Sequence, residues 1–459
     1  LLPITFSALL AGFSPSTQRA LLMVAVFLLS LLVGRETDLM NSLALAALSI
    51  LCVQPASLFS ISFQLSFAAV LSIVYAFERA AAAHPAPLPA VEGRTAKIRR
   101  GLKAFFGVSL IATWGTLPLG MYYFNSVPLV GLLANCIAVP LMGYLVVVVG
   151  LAGALLATLS VPAALICYQI SGFVLSVAIA AMEWMAAWPY AAIRTVSPSP
   201  VELILFYLLS WAAFDLAAGR KATAAPGGHA AFGAGSGLRR FRSQTMPWAV
   251  PGRNAAVAVL AFSLVAAVAD AGYWVYQRFG RQDLRVTVLD VGQGSAVLLE
   301  LPGGGTALID GGGFADPAAF DVGARVVAPF LWRRKIASID TLILTHPTSD
   351  NMNGLAFIAD HFHVRALWTN GESRPRAGYA ALMQAAARRG IAVPGFSELP
   401  RESMVQGVRI EVLYPPADFL ERTRTERWRR DENNNSLVTR VSLGQASVLI
   451  PGDIMRPAE

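Results

Sequence analysis

Carboxylate and imidazole side chains suited to handling a divalent ion and water gather in one part of the chain, from Val286 to Gly354. Asp290 lies in Asp290-Val-Gly292-Gln-Gly294, and Asp310 in Ile309-Asp310-Gly311-Gly312. His346 and Asp350 share Thr345-His346-Pro-Thr348-Ser-Asp350-Asn351-Met-Asn-Gly354. Alternating apolar residues on either side of the Gly292-x-Gly294 turn, from Val286 to Glu300, predict the two strands of a hairpin. Thr306–Asp310 and Thr341–Thr345 predict two more strands. Their acidic and imidazole groups then sit just past strand ends, where loops present polar side chains to a common sheet edge. Imidazole and carboxylate at such an edge suit zinc or manganese, which lower the pKa of a bound water towards neutrality.

The elements around this stretch are of two kinds. The chain has 459 residues, of which 55% are hydrophobic and 14% charged, and its mean hydropathy is +0.56. Ordinary soluble domains carry roughly 25% charged residues, so a soluble globule throughout is excluded. Apolar runs of membrane-crossing length recur as far as Tyr276 and then cease. We expect a polytopic α-helical membrane domain over residues 1–280, with basic loops at 78–103 and 219–253, and an α/β domain over 281–459. The apolar runs are Ala20–Gly34, Leu39–Val53, Leu58–Phe77, Ala104–Phe124, Val127–Leu159, Val161–Trp188, Val201–Ala218 and Ala255–Tyr276. Val127–Leu159 is longer than one span needs, and Pro140 predicts a break, with a half-helix before it and a full span after it. The chain starts at Leu1 and stops at Glu459 soon after a predicted strand, so a fragment cut at both ends is expected.

A net charge of +8 fits nucleic acid or anionic lipid as a partner. Orientation of membrane loops alone also enriches Lys and Arg. Cys52, Cys136 and Cys167 all lie in apolar runs, at spacings matching neither a zinc site nor a disulfide framework. Gln64, Asn135, Glu183 and Asp270 are polar groups at membrane depth. Each is a candidate for a transport pathway, against the alternative of interhelical hydrogen bonding or an interfacial position. Arg422, Arg424, Arg427, Arg429 and Arg430 surround Trp428. Guanidinium groups beside an indole suit a phosphate backbone with stacked bases, and a solvated helix would read the same. His361 and His363 read as surface histidines.

Asp-Val-Gly-Gln-Gly, Ile-Asp-Gly-Gly and Thr-His-Pro-x-x-Asp-x-x-x-Gly-Leu together resemble the metallo-β-lactamase fold in the form appended to ComEC-type competence channels. Gly12-Phe-Ser-Pro-Ser-Thr-Gln-Arg19, Ser62-Phe-Gln64-Leu-Ser-Phe-Ala-Ala and Asn135-Cys-Ile-Ala-Val-Pro140 are similar to signatures of the membrane domain of the same family. The resemblance runs from roughly Gly12 to Asp453. It implies a metallo-β-lactamase-like (αββα) soluble domain, incomplete at its C-terminus, in which Asp290, Gly292, Gly294, Asp310, Gly312 and Gly354 are motif and structural positions. The family's His-x-[His/Asp]-x-Asp-His motif falls on His346, Thr348, Asp350 and Asn351, so two coordinating positions are lost. Asp453, in Gly452-Asp453, matches a bridging carboxylate. The resemblance therefore leaves His346, Asp350 and Asp453 as metal candidates, for zinc, manganese or no ion at all, with Asp350 the candidate catalytic base.

The same resemblance implies a multi-pass inner-membrane channel that takes up single-stranded transforming DNA. An extracytoplasmic DNA receptor, a cytoplasmic ATP-driven partner and a second copy of the chain are the partners it implies, besides membrane lipid. If both basic loops are cytoplasmic, the last apolar run carries the chain outward and the soluble domain is extracytoplasmic. A membrane-anchored metal-dependent hydrolase or nuclease and a transporter of small anionic solutes are the alternatives.

Overall fold

Long uncharged apolar stretches have nowhere to satisfy their backbone except within a helix, and among the described residues the first part of the chain is mostly helical, with one short strand pair, Ser126–Pro128 and Ala192–Arg194. The computed structural model describes residues 15–32, 39–83, 94–223, 253–316, 319–372, 376–418 and 432–455, with positions 5, 9, 12 and 420. The chain divides into two compact units, one of Leu1–Ile193 and Pro200–Ala267, the other of Arg194–Ser199 and Val268–Glu459.

The helices are α1 (Pro15–Leu32), α2 (Leu39–Val53), α3 (Ile61–Ala83), α4 (Arg94–Phe124), α5 (Gly131–Ala138), α6 (Val147–Leu156), α7 (Val161–Ala186), α8 (Pro200–Thr223) and α9 (Arg253–Val275). Among the described residues, six stretches are long and apolar enough to cross a membrane. They are Ile61–Arg79, Arg94–Phe124, Gly131–Leu156, Val161–Ala186, Pro200–Ala217 and Arg253–Gly280. Their outward side chains are large and apolar: Phe173 and Val265 are each 70% exposed. Such surface is at home in lipid and would be an aggregation site in water.

The break expected at Pro140 is not there. Gly131–Leu156 is one continuous helical stretch of 26 residues, and Pro140 falls in a π-helical segment, Val139–Val146, between α5 and α6. Proline removes one backbone donor and crowds the preceding turn; widening to i→i+5 bonding absorbs both effects without breaking the span.

The second unit alternates short strands with helices. β1 (Arg285–Val288), β2 (Val297–Glu300), β3 (Thr306–Ile309), β4 (Ser338–Leu344) and β5 (His363–Thr369) form a five-stranded sheet in that order. The first three are antiparallel neighbours, with Arg285 opposite Glu300 and Val297 opposite Ile309; β3, β4 and β5 run parallel. The second sheet is antiparallel, in the order β9 (Ala446–Ile450), β8 (Val438–Leu443), β7 (Val408–Tyr414), β6 (Glu402–Val405). Period-two alternation sends neighbouring residues to opposite faces. Leu298, Leu308 and Leu342 therefore pack with Leu331 of α10 (Ala328–Arg333), Leu355 and Ile358 of α11 (Ser349–His361) and Leu382 of α12 (Ala377–Arg389). Val297, Leu299, Ile309 and Ile343 pack instead with Val408, Ile410 and Val441 of the second sheet. Helices, sheet and sheet are thus stacked as successive layers, three of the four layers of the expected αββα arrangement among the described residues.

Candidate functional site

The site is assembled where β3 and β4 end. Asp310 follows β3 with a left-handed backbone, φ 57°, a conformation Asp tolerates better than most side chains. It is fully buried. Its Oδ1 accepts the Thr345 N–H at 2.8 Å, and its Oδ2 accepts hydroxyl hydrogens from Thr345 at 2.7 Å and Ser295 at 3.0 Å. Burial pushes this carboxyl up to about 7, while the Thr345 and Ser295 donors pull it down. Asp310 thereby ties the ends of two parallel strands together.

His346, next in line, is 0% exposed. Thr345 Oγ1 and Ser436 Oγ lie 3.0 and 3.1 Å from its Nδ1, and Thr348 Oγ1 lies 3.0 Å from its Nε2. Thr345 donates its hydroxyl hydrogen to Asp310, and Ser436 donates its own to the Asn433 carbonyl at 2.8 Å. Both oxygens are therefore left as acceptors, which assigns the hydrogen to Nδ1 and makes Nε2 the acceptor of the Thr348 hydroxyl. Burial holds the imidazole below its ordinary value, against the opposing pull of Asp453, so the ring is neutral at physiological pH.

Asn351, also 0% exposed, is a hub. Its Oδ1 accepts the Ser295 N–H at 3.0 Å, and its Nδ2 donates to Asp453 Oδ2 at 3.0 Å. The same Nδ2 lies 3.4 Å from both His346 ring nitrogens. Asp453 Oδ2 is 3.6 Å from His346 Nε2, and the Asp453 N–H is donated to Ser436 Oγ at 3.2 Å. Asp350, in the first turn of α11, is half-buried and makes no side-chain hydrogen bond or ion pair among the described residues.

This donor set does not fit a divalent ion. Among the described residues no three His, Cys, Asp or Glu side chains lie close enough to hold one. The lone pair of His346 Nε2 is taken by a hydroxyl, and an amide that carries hydrogen sits beside Asp453, where a cation would need a lone pair. His346, Asp350 and Asp453, the candidate ligands read from the sequence, thus occupy one neighbourhood without forming a ligand cage. Thr348 and Asn351 complete the network through hydrogen bonds.

Close backbone approach explains two glycines. At Gly294, φ 76°, an added Cβ would lie 1.8 Å from the Asp350 carbonyl oxygen; at Gly354 it would lie 2.0 Å from that of Gly311. Gly292 and Gly312 take left-handed φ values of 81° and 63°. Asp290 is exposed and its Oδ1 accepts the Gly292 N–H at 3.3 Å. His361 stacks on Phe357 with centroids 3.9 Å apart, and His363 is exposed. The Arg422–Arg430 stretch lies outside the described residues.

In the helical unit, Gln64 bridges within and between helices. Its Nε2 donates to the Leu58 carbonyl at 2.9 Å and its Oε1 accepts the Tyr123 hydroxyl at 2.8 Å. Asn135 is half-buried and Glu183 exposed, and Asp270 is half-buried with a partner of its own. An ion pair not foreseen in the sequence joins Arg79 of α3 to Asp215 of α8 at 2.7 Å, with side chains 21% and 9% exposed. Nothing in their spacing signals it; only the packing of the helices brings them together.

Residues 1–218 match the Competence protein family, and residues 289–459 match the Metallo-beta-lactamase superfamily. The first part of the chain is thus similar to the competence-protein family. The last part is similar to the metallo-beta-lactamase superfamily. Among curated relatives it is similar to ComE operon protein 3 of Bacillus subtilis (strain 168), at 24% identity over 98% of this chain and 52% of the relative. It is likewise similar to Competence protein ComA of Neisseria gonorrhoeae, at 27% identity over 98% of this chain and 51% of the relative. The chain spans about half the length of these two competence relatives.

Proposed function

We propose that this protein is the inner-membrane conduit through which single-stranded DNA enters the cell, and that its soluble domain receives DNA without cutting it at the His346 site. The carrying observation is the pairing, in one chain, of six helices of membrane-crossing length among the described residues with a metallo-β-lactamase-like domain whose ligand positions are engaged by Thr348 and Asn351. Because Gly131–Leu156 counts as one span, Arg94–Phe124, Gly131–Leu156, Val161–Ala186 and Pro200–Ala217 give an even number of crossings between the two basic loops. With both loops cytoplasmic, Arg253–Gly280 leads outward, which supports an extracytoplasmic soluble domain. An ATP-driven cytoplasmic partner and an outer DNA receptor complete the proposed machine. The Arg422–Arg430 run with Trp428 is the proposed DNA contact of the soluble domain.

The test is uptake of end-labelled DNA by cells from which the gene is deleted. Label should stay outside, sensitive to added nuclease, and return inside when the gene is restored. Normal internalisation in the deletion strain would overturn the conduit. Replacement of Asp350 and Asp453 by Asn should leave internalisation intact; its loss, with the protein still present in the membrane, would return a catalytic role to the site.

A further inference from the structure

The helix Arg253–Gly280 is 28 residues long. At about 1.5 Å per residue it extends to roughly 42 Å, about 12 Å more than the ~30 Å hydrocarbon layer it would cross. Its last turns therefore belong at the level of the lipid headgroups. Tyr273 and Trp274 stand there, as interfacial aromatic residues do.

A cavity of about 510 Å³ opens within the second unit beside these turns. It is lined by Trp274 and Arg278 of the helix end, Arg285 of β1, Glu300 of β2, and Arg333 and Arg334 at the end of α10. Four guanidinium groups face one carboxylate. Arg334 is 3.8 Å from Glu300, and Arg285 is 3.9 Å from Asp283 and donates to Gln277 at 3.3 Å. Arg278 and Arg333 have no ion-pair partner within 4 Å among the described residues. Two polar atoms in this lining are buried without a hydrogen-bond partner: the Trp274 indole N–H, a donor, and Glu300 Oε2, an acceptor. Buried polar atoms left open in this way call for a ligand that completes them.

We propose that this cavity binds the headgroup of a membrane glycerophospholipid that carries both a phosphodiester and a hydrogen-bond donor. Phosphate oxygens satisfy the Arg278 and Arg333 guanidiniums and the Trp274 N–H, since guanidinium pairs with phosphate in a charge-assisted, often bidentate manner. The hydroxyl of a glycerol headgroup donates to Glu300 Oε2. The acyl chains follow the exposed Tyr276 and Val275 down the helix. A single strand of DNA offers the phosphodiester, yet its sugars and bases supply no apolar tail for that helix flank. The bound lipid pins the soluble domain's first two strands to the membrane surface.

The experiment reads lipid retention by native mass spectrometry on the full chain in phosphatidylcholine nanodiscs doped with phosphatidylglycerol. Phosphatidylglycerol should be retained over phosphatidylcholine, whose headgroup has no donor. Inorganic phosphate at millimolar concentration, or a short single-stranded oligonucleotide, should not displace it. Loss of two charge-assisted partners in R278Q/R333Q should lower retention at least about tenfold, while K97Q/R99Q leaves it unchanged. Equal retention of the two lipids, displacement by phosphate or oligonucleotide, or unchanged retention in R278Q/R333Q would each overturn the proposal. The first three readings use the unmodified protein, so a variant that fails to fold does not spare it.

Discussion

The helical unit and the sheet-bearing unit treat polar and apolar groups in opposite ways. In the sheet-bearing unit Leu298, Leu308 and Leu342 are sealed at 0% exposure, and the polar groups buried with them, Asp310, His346 and Asn351, are tied into one network. In the helical unit Phe173 and Val265 face outward, and the polar groups inside are isolated links: Arg79 to Asp215, Gln64 to Tyr123, Tyr207 Oη to the Gly115 carbonyl. The difference teaches that one chain has been built for two solvents. Water drives the burial that makes the second unit; in the first, lipid gives apolar groups no reason to hide, and single polar links set which helices meet.

The largest expected effect tests that reading directly. Asp215→Ala leaves the Arg79 guanidinium largely buried without its partner and should destabilise the detergent-solubilised chain by about 3–5 kcal/mol, seen as a fall in melting temperature. An effect as small as that of an exposed ion pair, below about 1 kcal/mol, would break the comparison by showing that water reaches the pair.

Next comes pH. Asp310 holds its proton up to about 7 when folded and to 3.8 in its ordinary state, so between these values the native state binds the extra proton. Its contribution is full below about pH 4 and is lost as pH rises towards 7, on the order of 4 kcal/mol in all. His346 acts the other way: held neutral in the fold, it favours unfolding as pH drops below 6.5. Melting temperature followed from pH 4 to 8 should therefore show two opposed slopes, and Asp310→Asn should leave the His346 slope alone. A profile unaffected by Asp310→Asn would mean that the carboxylate is ionised throughout.

A smaller loss, about 2 kcal/mol, is expected for Asn351→Ala, which strands the Ser295 N–H and Asp453 Oδ2. Asn351→Asp sharpens the point, because a carboxylate facing Asp453 should be worse than the truncation. Smallest is Tyr123→Phe, which removes one hydrogen bond to Gln64 between helices and should lower stability by about 0.6 kcal/mol. A value above 2 kcal/mol there would make Gln64 part of a wider polar system.

Much of this arrangement was legible beforehand, and the reasons are local. Strand ends at Asp310 and His346 follow from apolar runs cut off by glycine or proline, and the spans follow from length and lack of charge. Thr348 and Asn351 stood out because they carry the wrong atoms for coordinating a cation. What could not be read was which groups surround them. Ser295 meets Asp310 and Asn351, and Ser436 meets the imidazole from 90 residues away; those encounters exist only once both sheets are stacked. Pro140 misled for a related reason: the rule that proline ends a helix is local, whereas a π-helical turn spreads the disturbance over Val139–Val146.

The crowd of hydroxyl and amide groups around His346 also bears on engineering. Introducing an ion here is a concerted problem. Thr348 must release Nε2, Asn351 must yield its place beside Asp453, and Ser436 must still orient the ring; changing any of these singly spoils a completed network before it creates a binding geometry. Step-by-step substitution thus runs uphill at first, and a successful redesign has to replace several neighbours in one move.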